Sequence, residues 1–272
     1  MTTHYALPDK VTQRMIGLAL AALVGGGWLG VHFYSMFVFK LTWESLPVAL
    51  ALALVQIWLS VGTFIICHDA MHGTLAPGWP RVNAWIGAPL LMLYAGFRWR
   101  RMRHAHFTHH KLAGHKGDPD FDEEHPSDFL QWYWTFFKRY FGLQSLLFVH
   151  LVVGVYLFVF EIDFTQIFIL YGAPALLSSL QLFYFGTFRP HHQSPDKPFA
   201  DEHNARSNDF DTLVSLLTCF HFGYHLEHHR QPNVPWWALP AAKKAGVGVF
   251  ETAHEPAPDL ASAESRPKEA AT

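Results

Sequence analysis

The sequence predicts an all-α integral membrane protein: four transmembrane helices in two hairpins, with a cytoplasmic helical cap that carries a metal site. Three observations lead there. The 272 residues are 50% hydrophobic and only 15% charged, against roughly 25% charge in an average globular chain. Four long windows contain no Asp, Glu, Lys or Arg. The 19 histidines nearly equal the 20 Lys plus Arg, and most of them fall at or beyond the ends of those windows.

The windows are Met15 to Phe39, Ser45 to His68, Tyr140 to Phe160 and Phe164 to Phe188. A charge at mid-bilayer costs about 2.5 to 3.5 kcal/mol on insertion scales, so long uncharged runs mark spans. Each can cross a hydrocarbon core of about 30 Å, which takes about 20 helical residues. The first run follows Arg14 and contains small residues, but it exceeds the roughly 7 to 15 residues of a secretory signal's apolar region and is read as retained. A fifth window, Val82 to Phe97, is shorter and includes Pro89; it is expected as a re-entrant or interfacial half-span. Pro174 is expected to kink the fourth span. Residues 1–245 form one catalytic membrane domain in this reading. Residues 246–272 form a tail, and from Glu251 to Thr272 its richness in Ala, Glu, Pro and Ser predicts disorder.

The connections Lys40 to Glu44 and Glu161 to Asp163 are too short to hold a domain, so both hairpin tips lie on one side. All Lys and Arg except Lys40 then fall on the other side, which the positive-inside tendency makes cytoplasmic, with both termini. The same topology puts every histidine except His32 and His150 there. A net charge of −2 with His neutral gives no basic excess to neutralise phosphates, which speaks against nucleic acid as a partner. Cys67 and Cys219 make no C-x-x-C pattern and fit a reducing setting.

Nine histidines stand out. His68 and His72 are four apart at the end of the second span, and residues at that spacing share a helix face. His106, His109 and His110 repeat the logic, as do His225, His228 and His229. One more comes from the pair His191-His192, where the fourth span ends. A tetrahedral zinc takes four ligands, so nine imidazoles suit two metals. Imidazole accepts Fe, Zn, Cu and Ni alike, and the ligand type does not name the metal. The zinc protease pattern H-E-x-x-H is absent.

A lone interfacial histidine is ordinarily an amphipathic side chain or a helix cap. Two H-x-x-H-H motifs plus H-x-x-x-H on one side exceed that explanation. Ligating imidazoles usually donate their other N–H to a carboxylate or carbonyl; the local candidates are Asp69, Asp118, Asp120 and Glu227, with Asp201 weaker. His203 and His221 stand between such supporting roles and purely structural ones. His104, His115, His125 and His192 are read as polar neighbours, and His4 and His254 as terminal residues without a role.

The three histidine motifs around four spans resemble the membrane fatty-acid desaturase and hydroxylase superfamily. Within it, His68-Asp-Ala-Met-His-Gly73, Phe188-Arg-Pro-His-His192, His203-Asn-Ala-Arg-Ser207 and Ser215-Leu-Leu-Thr-Cys-Phe-His-Phe-Gly223 running into His225 resemble the bacterial β-carotene 4-ketolases. The resemblance covers about residues 10 to 240. It implies two ferrous ions held by the nine histidines, with His191 as the extra ligand after the fourth span. It also implies dioxygen as co-substrate, a ferredoxin as electron donor, and the bacterial inner membrane as location. The implied chemistry is two hydroxylations at C4 of a β-ionone ring and loss of water to the ketone, taking β-carotene through echinenone to canthaxanthin, or zeaxanthin to astaxanthin.

A carotenoid arrives through the bilayer, so a tunnel near Phe64, Tyr94, Phe97 and Phe185 is expected to lead it to the metal. The stretch Phe129 to Tyr140, with Trp132, Tyr133 and Trp134, reads as an aromatic anchor among lipid headgroups. The rivals are a carotenoid 3-hydroxylase or acyl-lipid desaturase of the same superfamily, a dinuclear zinc hydrolase, and a membrane metal transporter. A transporter places ionisable ligands near mid-membrane, whereas these cluster at span ends.

Overall fold

The computed structural model describes residues 4–194 and 196–248, and every regular element among them is helical. Helix α1 is Lys10–Phe37 and α2 is Leu46–His72. Then come α3, Pro80–Ala95; α4, Trp99–Leu112; α5, Phe129–Tyr140; and α6, Leu143–Phe158. A long α7 spans Phe164–His191. Short helices α8, Thr212–Cys219; α9, His225–Arg230; and α10, Leu239–Lys244, follow. The tail expected over residues 246–272 lies, from residue 249 on, outside the described residues, and so does His254.

Helices α1, α2 and α7 are each long and apolar enough to cross a membrane. Their burial differs in a telling way. The apolar window of α2 is 56% buried within the protein, while those of α1 and α7 are 28% buried. α2 is therefore the central helix, and its neighbours turn residues such as Leu23, Phe33 and Phe168 outward. Close approach is made possible by glycine. A Cβ on Gly17 of α1 would lie 2.1 Å from the carbonyl oxygen of Leu75, and one on Gly62 of α2 would lie 2.3 Å from the ring of Phe220.

The third expected span differs from the sequence reading. Tyr140 belongs to α5, and α6 starts only at Leu143, bent 81° from α5. The break sits at Gly142, whose extended backbone precedes α6. Alone, α6 has 16 residues, about 24 Å at 1.5 Å per residue, so the pair makes a fourth crossing only as a bent unit. The aromatic stretch is also not uniformly interfacial. Trp134 is exposed, but Trp132 is fully buried against Phe121, Phe183 and Phe188 and donates its indole N–H to the carbonyl of Asp120 at 2.7 Å.

Where a kink is expected at Pro174, a π turn, Phe168–Gly172, lies just ahead of the proline. A second π turn, Tyr184–Phe188, precedes Pro190. Proline cannot donate to the carbonyl four residues back, and its ring crowds that carbonyl. Widening the preceding turn relieves the crowding without ending the helix.

The two short connections lie together. The side-chain amide of Gln166, at the start of α7, donates to the carbonyls of Ser35 (2.8 Å) and Phe39 (2.9 Å) and accepts from the N–H of Leu41 at 3.2 Å. His72 and His191 end α2 and α7 at the opposite pole. There the N-terminal segment joins the cap, since Gln231 exchanges hydrogen bonds of 2.9 and 2.8 Å with the backbone of Tyr5.

Candidate metal centre

Helix geometry sorts the nine histidines into two groups. His68, His72, His106, His110 and His228 form one, and His109, His191, His225 and His229 form the other, with the candidate ligand atoms of each group within 4.8 Å of one another. Each H-x-x-H-H motif is divided between them. On α4, His106 and His110 share the face of the first group while His109 turns to the second. On α9, His225 and His229 serve the second group while His228 turns back to the first. His68 and His72, one turn apart, complete the first group, and α7 delivers His191 to the second.

The Nε2 atoms converge. His72 meets His106 at 2.6 Å, His106 meets His110 at 3.1 Å, His110 meets His228 at 3.0 Å, and His228 meets His68 at 3.2 Å. In the second group His225 and His229 stand 3.0 Å apart, and the buried Nε2 of His191 has no hydrogen-bond partner among the described residues. Burial, reinforced by neighbouring imidazoles, holds His106, His225, His228 and His229 well below the ordinary histidine pKa and brings His110 down to about 2. These rings are neutral at physiological pH, and their lone pairs are available. Neutral imidazoles converging through Nε2, which is a ligating nitrogen, fit a metal cation.

The outer nitrogens are fixed in two cases. His109 Nδ1 lies 3.0 Å from both oxygens of Asp118, whose carboxylate also accepts from the backbone N–H of Gly114 and Asp120, each at 2.9 Å. Burial opposes ionisation of Asp118, yet His109 and these N–H groups hold its pKa below the usual carboxylate value. His191 Nδ1 donates to the carbonyl of Asn204 at 2.7 Å. That partner was not foreseeable, because any residue's carbonyl serves equally well.

Other expected supports are placed differently. Asp69 Oδ1 is 3.5 Å from His68 Nδ1, while its Oδ2 accepts from the backbone N–H of Trp236 at 3.0 Å, tying α2 to the cap. Glu227 is buried and accepts from the hydroxyl of Ser207; no described histidine bonds to it. A carboxylate one residue before His228 leaves the helix on another face, which explains the difference. His203 approaches His229 with ring centroids 6.1 Å apart. His221 stacks on Tyr224 and Trp236 at 6.0 Å each, away from both groups. Asp201 pairs with Arg230 at 2.8 Å. His192 stacks on Phe188 and belongs to neither group.

A cavity of about 340 Å³ runs to the histidines. His68 and His106 of the first group and His109 and His225 of the second are among its lining residues. Phe64, Tyr94 and Phe97 also line it, and so do Ala175 and Leu176 of α7, both of which are exposed. Phe185 is not among the lining residues. It packs with the core around α2 and against Tyr184 and Phe210, because the π turn at Tyr184–Phe188 rotates it away from a face counted at ordinary helical spacing.

Helices of membrane-crossing length, a polar pole with two histidine groups, and an apolar cavity reaching both define a membrane protein with a candidate dinuclear metal centre. The chain belongs to the fatty acid desaturase family, whose profile matches residues 41–150 and 143–254. It is 43% identical over 240 residues to a β-carotene ketolase of Paracoccus sp. strain PC1, covering 88% of this chain and 97% of the relative. It is 45% identical over 247 residues to a β-carotene ketolase of Paracoccus sp. strain N81106 / MBIC 01143, covering 90% and 99%. A zeaxanthin 4-ketolase of Chlamydomonas reinhardtii is 33% identical over 244 residues, covering 85% of this chain and 54% of that protein.

Proposed function

We propose that the protein is a membrane di-iron oxygenase that converts the C4 methylene of β-ionone rings to a ketone, with β-carotene as substrate and zeaxanthin as the hydroxylated alternative. One observation carries the reading: a single apolar cavity touches both histidine groups in a chain that matches β-carotene ketolases along nearly their whole length.

The nine histidines would hold two iron ions, which supply activation of dioxygen. The protein's own contribution is placement. The aromatic wall of Phe64, Tyr94 and Phe97 takes up an apolar ring, and burying it there releases about 25 cal/mol per Å². Tyr94 has its hydroxyl on Ser178 at 3.2 Å and Tyr133 on Ser179 at 2.7 Å, so both present ring faces to the cavity without an unpaired polar atom. Asp118 and the Asn204 carbonyl keep Nδ1 of His109 and His191 protonated and Nε2 free.

Each hydroxylation consumes one dioxygen, two electrons and two protons and releases one water. The second gives a geminal diol, which loses water to the ketone. The electrons come from an external donor, a ferredoxin. In the membrane, α1–α2 and the bent α5–α6 unit with α7 form two hairpins in the bacterial inner membrane. The histidine pole, with nearly all Lys and Arg, faces the cytoplasm, where the donor is.

The test is expression in a bacterium that accumulates β-carotene, with pigments identified by mass and the purified protein assayed for metal. Ketone at C4 with iron bound is the expected outcome. Unchanged β-carotene beside well-expressed, iron-loaded protein would count against the ketolase reading. Hydroxyl at C3 favours the hydroxylase, new alkenes in acyl chains the desaturase, and zinc without iron the hydrolase.

A further inference from the structure

One carboxylate in the cavity has no use for an entirely apolar substrate. Asp120 lines the same cavity as His109, Tyr140, Phe136 and Phe137. Its backbone is clamped from both sides, by its N–H on Asp118 Oδ1 at 2.9 Å and its carbonyl on Trp132 Nε1 at 2.7 Å. The hydroxyl of Tyr140 donates to Oδ1. Oδ2 receives no hydrogen bond from any described residue and stands 3.8 Å from His109 Nδ1. That nitrogen is already served by both oxygens of Asp118, so Asp120 is not needed to orient the ring.

Leaving a polar atom without a partner against an apolar cavity is costly unless something polar occupies the space. An acceptor oxygen held rigidly beside an imidazole of the candidate metal centre suits a hydroxyl donor on a carbon close to that centre. Resting on the ketolase reading, we propose that Asp120, positioned by Tyr140, accepts a hydrogen bond from the hydroxyl created by the first oxidation and so retains the C4-hydroxylated ring for the second. The retained alcohol is then oxidised at the same carbon with the stoichiometry given above, and no additional reactant is required.

The experiment compares the iron-loaded protein with Asp120→Ala and Tyr140→Phe, each given β-carotene and, separately, the C4-hydroxylated carotenoid. In Asp120→Ala the ratio of released C4-alcohol to C4-ketone rises about tenfold, and KM for the alcohol rises by a similar factor relative to KM for β-carotene, as expected for losing a hydrogen bond to a buried acceptor. Tyr140→Phe, which keeps the carboxylate but not its orientation, shifts the ratio the same way by about two- to threefold. An unchanged ratio in both variants overturns the proposal. So does loss of iron with an equal fall in both steps, which makes Asp120 a support of the metal centre only. Wild-type protein that forms no C4-oxygenated product overturns the ketolase reading itself.

Discussion

Asp118 and His109 face each other with both carboxylate oxygens 3.0 Å from Nδ1, the best-formed support of any histidine in the two groups. The carboxylate sits in a turn closed by the N–H groups of Gly114 and Asp120, so its position does not depend on the histidine. An oriented, electron-enriched imidazole binds metal more tightly, and removing such an outer partner typically costs about 10- to 100-fold in metal affinity or activity. Asp118→Ala is therefore expected to lose metal from the four-histidine group under mild chelation while the five-histidine group keeps its ion. Metal content per chain after stepwise chelation checks this. Equal retention by wild type and variant would show that Asp118 serves the turn rather than the site.

His191 and His192 are adjacent but unequal. His191 is buried in the second group with Nε2 unpartnered among the described residues, while His192 stacks on Phe188 with ring centroids 5.3 Å apart. His191→Ala leaves three imidazoles in that group and is expected to lower its metal occupancy and product formation by about tenfold or more. His192→Ala is expected to retain both. Metal analysis and pigment assays on the two variants side by side decide it, and full iron and activity in His191→Ala would remove that residue from the ligand set.

The candidate site was largely legible in the sequence because its residue type is rare and its spacing is helical. All nine histidines singled out from the motifs lie in the two groups. Their partition was not legible. It depends on how α4 and α9 face each other, and a motif read on one helix cannot say that His109 and His228 each turn away from their neighbours. Long helices were equally clear from missing charge. The bend at Gly142 and the displacement of Phe185 were not, because both arise from local backbone geometry that apolar content does not encode.

Gly17 gives a stability test of the α1–α2 contact. An added Cβ would meet the carbonyl oxygen of Leu75 at 2.1 Å, and backbone cannot rotate away as a side chain can. Gly→Ala within a helix ordinarily stabilises by about 1 kcal/mol, but overpacking of this kind costs about 1 to 3 kcal/mol or more, so the net effect of Gly17→Ala is destabilising. Gly26→Ala and Gly30→Ala meet nothing within 4 Å and are expected to be neutral or mildly stabilising. Thermal denaturation in detergent should separate Gly17→Ala from the two controls. Three coincident melting curves would contradict the packing described.

His221 makes the stability of the cap depend on pH. The ring stacks on Tyr224 and on Trp236, and its buried Nδ1 has no hydrogen-bond partner among the described residues; burial lowers its pKa from 6.5 to about 4. The folded protein thus favours neutral His221. Above about 6.5 both folded and unfolded chains carry the ring uncharged, and its contribution is fully present. As pH falls below that value the unfolded chain binds the proton first, so stability is lost progressively until the folded ring also titrates near 4. His221→Asn removes the titration and suits the backbone, since φ is 62° here and asparagine tolerates that region. The other histidines are common to both proteins, so the difference in melting temperature between wild type and variant isolates this residue. Wild type is expected to lose its advantage between pH 7 and pH 5, and a difference that stays constant across that range would mean that the ring is not buried as a neutral group.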